Sequence, residues 1–87
     1  NNVIEFLQSE GYIRFKADSE ASSKAIYEAY LRWCEDNAQK PMSANRISSE
    51  LAQNERLYNV EATNNVYAAG KRVRGFIGVE AMNLLPY

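Results

Sequence analysis

Between Ser23 and Asn54 the chain reads SKAIYEAYLRWCEDNAQKPMSANRISSELAQN, two helical stretches that Lys40-Pro41 forces apart. Proline lacks the amide that a helix needs and biases the residue before it away from helical geometry, so no single helix runs through Pro41. Upstream, Ile26, Tyr30, Trp33 and Cys34 fall at i, i+4, i+7 and i+8 and share one face. Ser22 or Ser23 can cap that helix, which is expected to end near Asp36, with Asn37 to Pro41 as the turn. Glu28 and Arg32, spaced i,i+4 on its other side, can form a weak solvated pair. Downstream, Ser43 is expected to cap a helix from Ala44 to about Asn54 that buries Ala44, Ile47 and Leu51. That leaves Asn45, Arg46, Ser49 and Gln53 facing outward.

The flanks carry different periods. Asn2 to Glu10 predicts a short helix, with Asn2 as cap, Glu5 reaching back to it, and Gly11 ending it in a left-handed conformation. Tyr12 to Lys16 is rich in strand formers, whereas Asp18 to Ser22 reads as polar loop. From Leu57 the period becomes two: Tyr58, Val60 and Ala62 alternate with Asn59, Glu61 and Thr63. On the return, Val73, Ile77 and Val79 alternate with Arg72, Arg74 and Phe76, which completes a hairpin pattern. Its tip is either Asn64-Asn65 or Ala68-Ala69-Gly70. Gly75 and Gly78 point to a bulge or a close backbone approach.

Composition narrows the chemistry. At 87 residues, with 46% hydrophobic and 24% charged, the chain suits one small globular domain with a net stability on the order of 5 kcal/mol. There are no histidines and one cysteine, so Ser-His-Asp or Cys-His catalysis and the usual zinc sites have no ligands to build on. Cys34 cannot form an internal disulfide and is expected as a buried thiol, which fits the cytoplasm. No phosphate-cradling glycine motif occurs, so neither an enzyme, a cofactor nor a small-molecule substrate is expected within these residues. No apolar run approaches the roughly 18 residues of a membrane span, and no signal peptide is evident. Net charge is −1, yet the distribution is uneven: Asn1 to Gln39 carries four basic and seven acidic residues, Lys40 to Tyr87 six basic and four acidic. Local charge, more than the total, decides whether a phosphate backbone is attracted.

Helix, short strand, helix, helix, strand, wing, strand is the order of an α+β winged helix-turn-helix, three helices with a C-terminal β-hairpin wing. A narrower likeness rests on Ile26-Tyr27-Glu28-Ala29-Tyr30-Leu31-Arg32-Trp33-Cys34, then Lys40-Pro41-Met42-Ser43, then Leu51, then Arg72-Val73-Arg74-Gly75-Phe76-Ile77-Gly78-Val79. Together these resemble the C-terminal domain of phage, plasmid and pathogenicity-island primase–helicases, superfamily-3 replication proteins with poxvirus relatives. The likeness spans Ser22 to Val79. It departs at Ile47, where the family usually has Phe, and at the weakly basic Asn64 to Gly70. The resemblance implies an upstream helicase motor in the same chain, with or without a primase domain. The start at Asn1-Asn2 without an initiator methionine adds the expectation of a fragment of that larger replication protein.

Under this expectation the partner is DNA. Asn45, Arg46, Ser49 and Gln53 are the types that reach base edges or phosphates from a helix in the major groove. Ser43 could seat a phosphate at the helix N-terminus, though its first role is a cap. Lys71, Arg72 and Arg74 are the densest positive cluster, with Arg72 and Arg74 on one strand face, and Lys40 in the turn is a further candidate. Against these stand plainer readings: an ordinary solvated helix face, and an edge strand guarded by charge. Tyr27, Tyr30 and Trp33 could stack on bases, but at helical spacing they read as core, Tyr27 being the exception to watch. The alternative function is a protein-interaction winged helix docking the helicase ring or a host replication factor. A stand-alone regulator would need a dimerisation helix, which is not evident.

Overall fold

The computed structural model describes residues 2–9, 11–68 and 70–82. It is an α+β domain whose elements run α1 (Asn2–Leu7), β1 (Ile13–Ser22), α2 (Ser23–Asp36), α3 (Ala44–Gln53), α4 (Glu55–Tyr58), β2 (Glu61–Ala68) and β3 (Lys71–Ala81). The three strands form one antiparallel sheet in the order β1-β3-β2. One core cluster joins helices and sheet: Val3 and Phe6 of α1, Ile26, Tyr30 and Trp33 of α2, Ile47 and Leu51 of α3, and Phe76 and Val79 of β3. The helix α2 packs on both the sheet and α3, so it is the centre of the fold.

The expected apolar face of α2 is buried in full, Cys34 included. Ser22 caps it, its Oγ accepting from the Ala25 amide at 3.0 Å. The helix stops as its C-terminal carbonyls are taken up: Asn37 N donates to Trp33 O, and Gln39 N donates to Cys34 O at 2.8 Å across the left-handed Ala38. Arg32 does not pair with Glu28; its guanidinium instead donates to the Met82 carbonyl at 2.7 Å. That bond ties α2 to the end of the sheet, a stronger use of the charge than a solvated pair.

Several expectations are corrected. Asn2 is the first residue of α1 and not its cap, because its side chain is spent elsewhere, on Tyr30 and on the Lys40 carbonyl. The helix α1 ends at Leu7; Gly11 does take a positive φ of 96°, in the turn before β1. The polar stretch Asp18 to Ser22 is not a loop: β1 continues to Ser22, resuming its pairing with β3 at Glu20 opposite Ile77. Lys16 to Ser19 form the bulge that makes this possible, opposite Gly78 with φ 98°. Ala44 is exposed, at the first position of α3 where the buried stripe has not yet turned inward. A fourth helix, α4, takes Tyr58 out of the expected strand. Asn54 closes α3 by donating to the Glu50 carbonyl and carboxylate, and left-handed Asn59 closes α4, so β2 begins only at Glu61.

Pairing of Ala68 with Lys71 puts the hairpin tip at the second of the two candidate positions; Ala69 itself lies outside the described residues. Asn64-Asn65 is instead a bulge between Thr63 and Val66. Phe76 points into the core and Ile77 is 40% exposed, the reverse of the simple alternation. Gly78 is the physical reason, since its left-handed backbone shifts the alternation between Phe76 and Val79, both of which are buried.

Gly75 lies under the crossing of three strands, and both glycine expectations hold. A Cβ there would overlap the Ala21 carbonyl oxygen and come within 2.8 Å of Ser22 Cα and 2.7 Å of Val66 Cγ2. Backbone cannot yield as a side-chain tip can. Gly75→Ala is therefore expected to lower unfolding free energy by about 1–3 kcal/mol in urea titration; an unchanged midpoint would show that β1 does not approach β3 this closely. Stability should also fall at high pH. The Tyr12 phenol, which donates to Asp36 Oδ2 at 2.6 Å, is raised by that bond, and burial raises Tyr30 and Tyr58. A raised value means the folded state holds its protons longer. The contribution is thus complete below the ordinary phenol value of 10.0 and is lost as pH rises through the folded values. Denaturation midpoints followed upward from about pH 9 should decline, and Tyr12→Phe should flatten part of that decline.

Candidate nucleic-acid interface

The residues expected to read or grip DNA fall into two groups. Lys40, Ser43, Asn45, Arg46, Ser49 and Gln53 surround the start and outer face of α3, and all six are exposed. Arg46, Ser49 and Gln53 follow one another at i, i+3 and i+7, with Asn45 one turn before Ser49, opposite the buried Ile47 and Leu51. Apart from the backbone bond between Arg46 N and the Ser43 carbonyl and the bond from Asn2 to the Lys40 carbonyl, these six residues make no hydrogen bond or ion pair outside the regular helix. Their side chains are available to a ligand.

What aims this helix is the turn before it. Tyr30 Oη accepts from the Met42 amide at 2.8 Å and donates to Asn2 Oδ1 at 2.7 Å. Tyr27 Oη donates to the Met42 carbonyl at 3.1 Å, and Asn2 Nδ2 donates to the Lys40 carbonyl at 2.9 Å. Three side chains from α1 and α2 thus hold Lys40 to Met42 against the core. Tyr27, half-buried, is a brace for the turn and not a free platform for bases. Ser43 stands at the N-cap position with extended backbone, but its hydroxyl caps nothing. With no acid in the first turn, the positive end of the α3 dipole is left without a side chain to answer it.

The second group is on the hairpin. Lys71, Arg72 and Arg74 are exposed, and none is ion-paired; the ion pair among the described residues joins Arg14 to Glu80. Arg72 and Arg74 share a face of β3 by strand alternation, with Lys71 on the other. Tyr67 stands directly across from Arg72 and is 67% exposed. Sequence reading passed over this tyrosine; its pairing with Arg72 follows from the tip lying between Ala68 and Lys71, a position the sequence left open against Asn64-Asn65. The groups sit on elements with different neighbours: α3 packs on α1, α2 and α4, whereas β3 packs on β1, β2 and α2. Their common support is α2.

Other features offer less chemistry. A cavity of about 570 Å³ opens between the end of α1 and β1, walled by Leu7, Ile13, Phe15 and Met82 with the ion-paired Arg14 at its edge. Asp36, next to Glu35 at the end of α2, already accepts from Tyr12. Among the described residues no three His, Cys, Asp or Glu side chains gather as a metal site, and no helix is long and apolar enough to cross a membrane. No protein-family model matches the chain, nor does any curated protein or solved structure.

If Tyr30 sets the approach to α3, removing its hydroxyl strands two partners at once. Tyr30→Phe is expected to cost about 1–3 kcal/mol in chemical denaturation, since the Met42 amide and Asn2 lose a buried partner while the ring volume stays. Amide exchange at Met42 should accelerate with it; protection equal to wild type would place the restraint elsewhere.

Proposed function

We propose that this chain is a winged-helix domain that binds duplex DNA, with α3 lying in the major groove and the β2–β3 hairpin acting as the wing on the phosphate backbone. The fold half of the reading draws on the element order α1-β1-α2-α3, then β2 and β3, with β3 central in the sheet. The binding half is carried by one observation: the cations Lys40, Arg46, Lys71, Arg72 and Arg74 are all exposed and none is neutralised by a neighbouring acid. Uncompensated cations on two projecting elements favour a polyanion by releasing its counterions, even on a chain of net charge −1. Asn45, Ser49 and Gln53 would supply the hydrogen bonds that distinguish bases, and Ser43 a further backbone contact at the uncapped start of α3.

Taken with the resemblance of Ser22 to Val79, the wider reading is the C-terminal accessory domain of a mobile-element primase–helicase, anchoring the motor on duplex or origin DNA. It assigns these residues no catalysis and no cofactor. The competing reading, a module docking a helicase ring or another replication protein, is supported by Leu57 of α4, an aliphatic side chain 74% exposed. Under that reading the isolated chain shows no salt-dependent affinity for DNA.

Fluorescence anisotropy on duplex DNA across a salt series separates the two. The triple variant Arg46→Ala, Arg72→Ala, Arg74→Ala should bind more weakly and lose about three from the slope of log K against log salt, one per phosphate contact. Unchanged affinity and slope would defeat the proposal.

A further inference from the structure

The strand β1 ends at Ser22 opposite Gly75, while β3 begins four residues earlier, at Lys71. Along Lys71 to Arg74 the edge of β3 therefore has no β1 neighbour, so residues from both faces of the strand border the gap together with the start of α2. A shallow cavity of about 240 Å³ lies there, lined by Ser22, Lys24, Ala68, Lys71, Val73 and Arg74. The surface it presents is mainly apolar, and of the residues that line it three are cationic and none is acidic. The nearby acids are otherwise disposed: Glu20 Oε2 accepts from the Tyr67 amide at 3.1 Å, and Glu28, one turn beyond Lys24, makes no ion pair with it. Lys24, Lys71 and Arg74 are exposed and unpaired. Lys24 also sits in the first turn of α2, where the helix dipole adds positive potential and no acid offsets it.

Three cationic residues bordering one small concavity, with no acid among its lining residues, raise the local potential for an anion. We infer that Lys24, Lys71 and Arg74 form a seat for one phosphate of the nucleic-acid backbone, so that α2 contributes a contact of its own beside those of α3 and the wing. This rests on the DNA-binding reading and adds to it a residue separated from Lys71 by most of the chain. Val73 and Ala68 supply an apolar floor that suits the sugar edge next to a phosphate, whereas a peptide strand would meet three uncompensated cations.

The test is the salt dependence of duplex binding for Lys24→Ala, Lys24→Arg and Lys16→Ala, with thermal melts to confirm folding. Lys16 is an exposed cation in the β1 bulge, outside the cavity. Lys24→Ala should weaken binding several-fold and reduce the salt slope by about one. Lys24→Arg should restore both, and Lys16→Ala should leave the slope unchanged. If wild type binds and Arg72→Ala weakens it, but Lys24→Ala matches wild type or Lys16→Ala matches Lys24→Ala, the phosphate seat is overturned and the wider reading stands. If wild type shows no salt-dependent binding, both fall.

Discussion

Tyr30 carries a hydroxyl into the middle of the helical core, and the arrangement of the helices hangs on how that hydroxyl is satisfied. Its ring is fully buried, edge-on to Phe6 at 5.3 Å and stacked over Trp33 at 6.3 Å. A buried hydroxyl without partners would be costly. Here it accepts from Met42 N and donates to Asn2 Oδ1, and Asn2 in turn reaches the Lys40 carbonyl. One chain of bonds therefore joins α1, α2 and the turn that launches α3. The outer face of α3 is aimed by this polar network as much as by the burial of Ile47 and Leu51.

The sheet depends on a different constraint, the absence of side chains at two points of β3. Gly75 lets Ala21, Ser22 and Val66 close on the strand, and Gly78 adopts a backbone that an L side chain rarely takes, against the Asn59 carbonyl. Between them Phe76 is turned into the core, so the two bulges and the two glycines act together to anchor the hairpin. Beyond that anchor Val73 is half-buried opposite the buried Val66, while Lys71, Arg72 and Arg74 are exposed.

How legible the parts were follows from the range of the interactions behind them. The helix α2, expected with a cap at Ser22 or Ser23 and an end near Asp36, was readable because its signals are local: a serine cap, a face repeating at i, i+4 and i+7, and Pro41 beyond its end. The candidates on α3 were readable too, since residues opposite Ile47 and Leu51 must face outward. The length of β1 was not, because Asp18 to Ser22 is polar and joins the sheet only through pairing with β3. Nor was α4, whose four residues are held by Asn54, Asn59 and the Glu55 bonds to Val60 and Ala62 that follow it. Lys24 carried no signal of its own in the sequence; it borders the same cavity as Lys71 and Arg74 only because the end of β1 falls beside Gly75.

Local chemistry in the chain was thus enough for the α+β class, the two helices around Lys40-Pro41, the buried aromatic face, the hairpin and the list of outward polar and basic side chains. These follow from periodicity, proline geometry and the desolvation of apolar groups, which act over a few residues. Strand order, the register around Gly75 and Gly78, the inward turn of Phe76, and the meeting of Lys24 with Lys71 and Arg74 were decided only in three dimensions. Each depends on backbone segments far apart in sequence, whose approach is set by bulges and missing Cβ atoms and leaves no periodic trace.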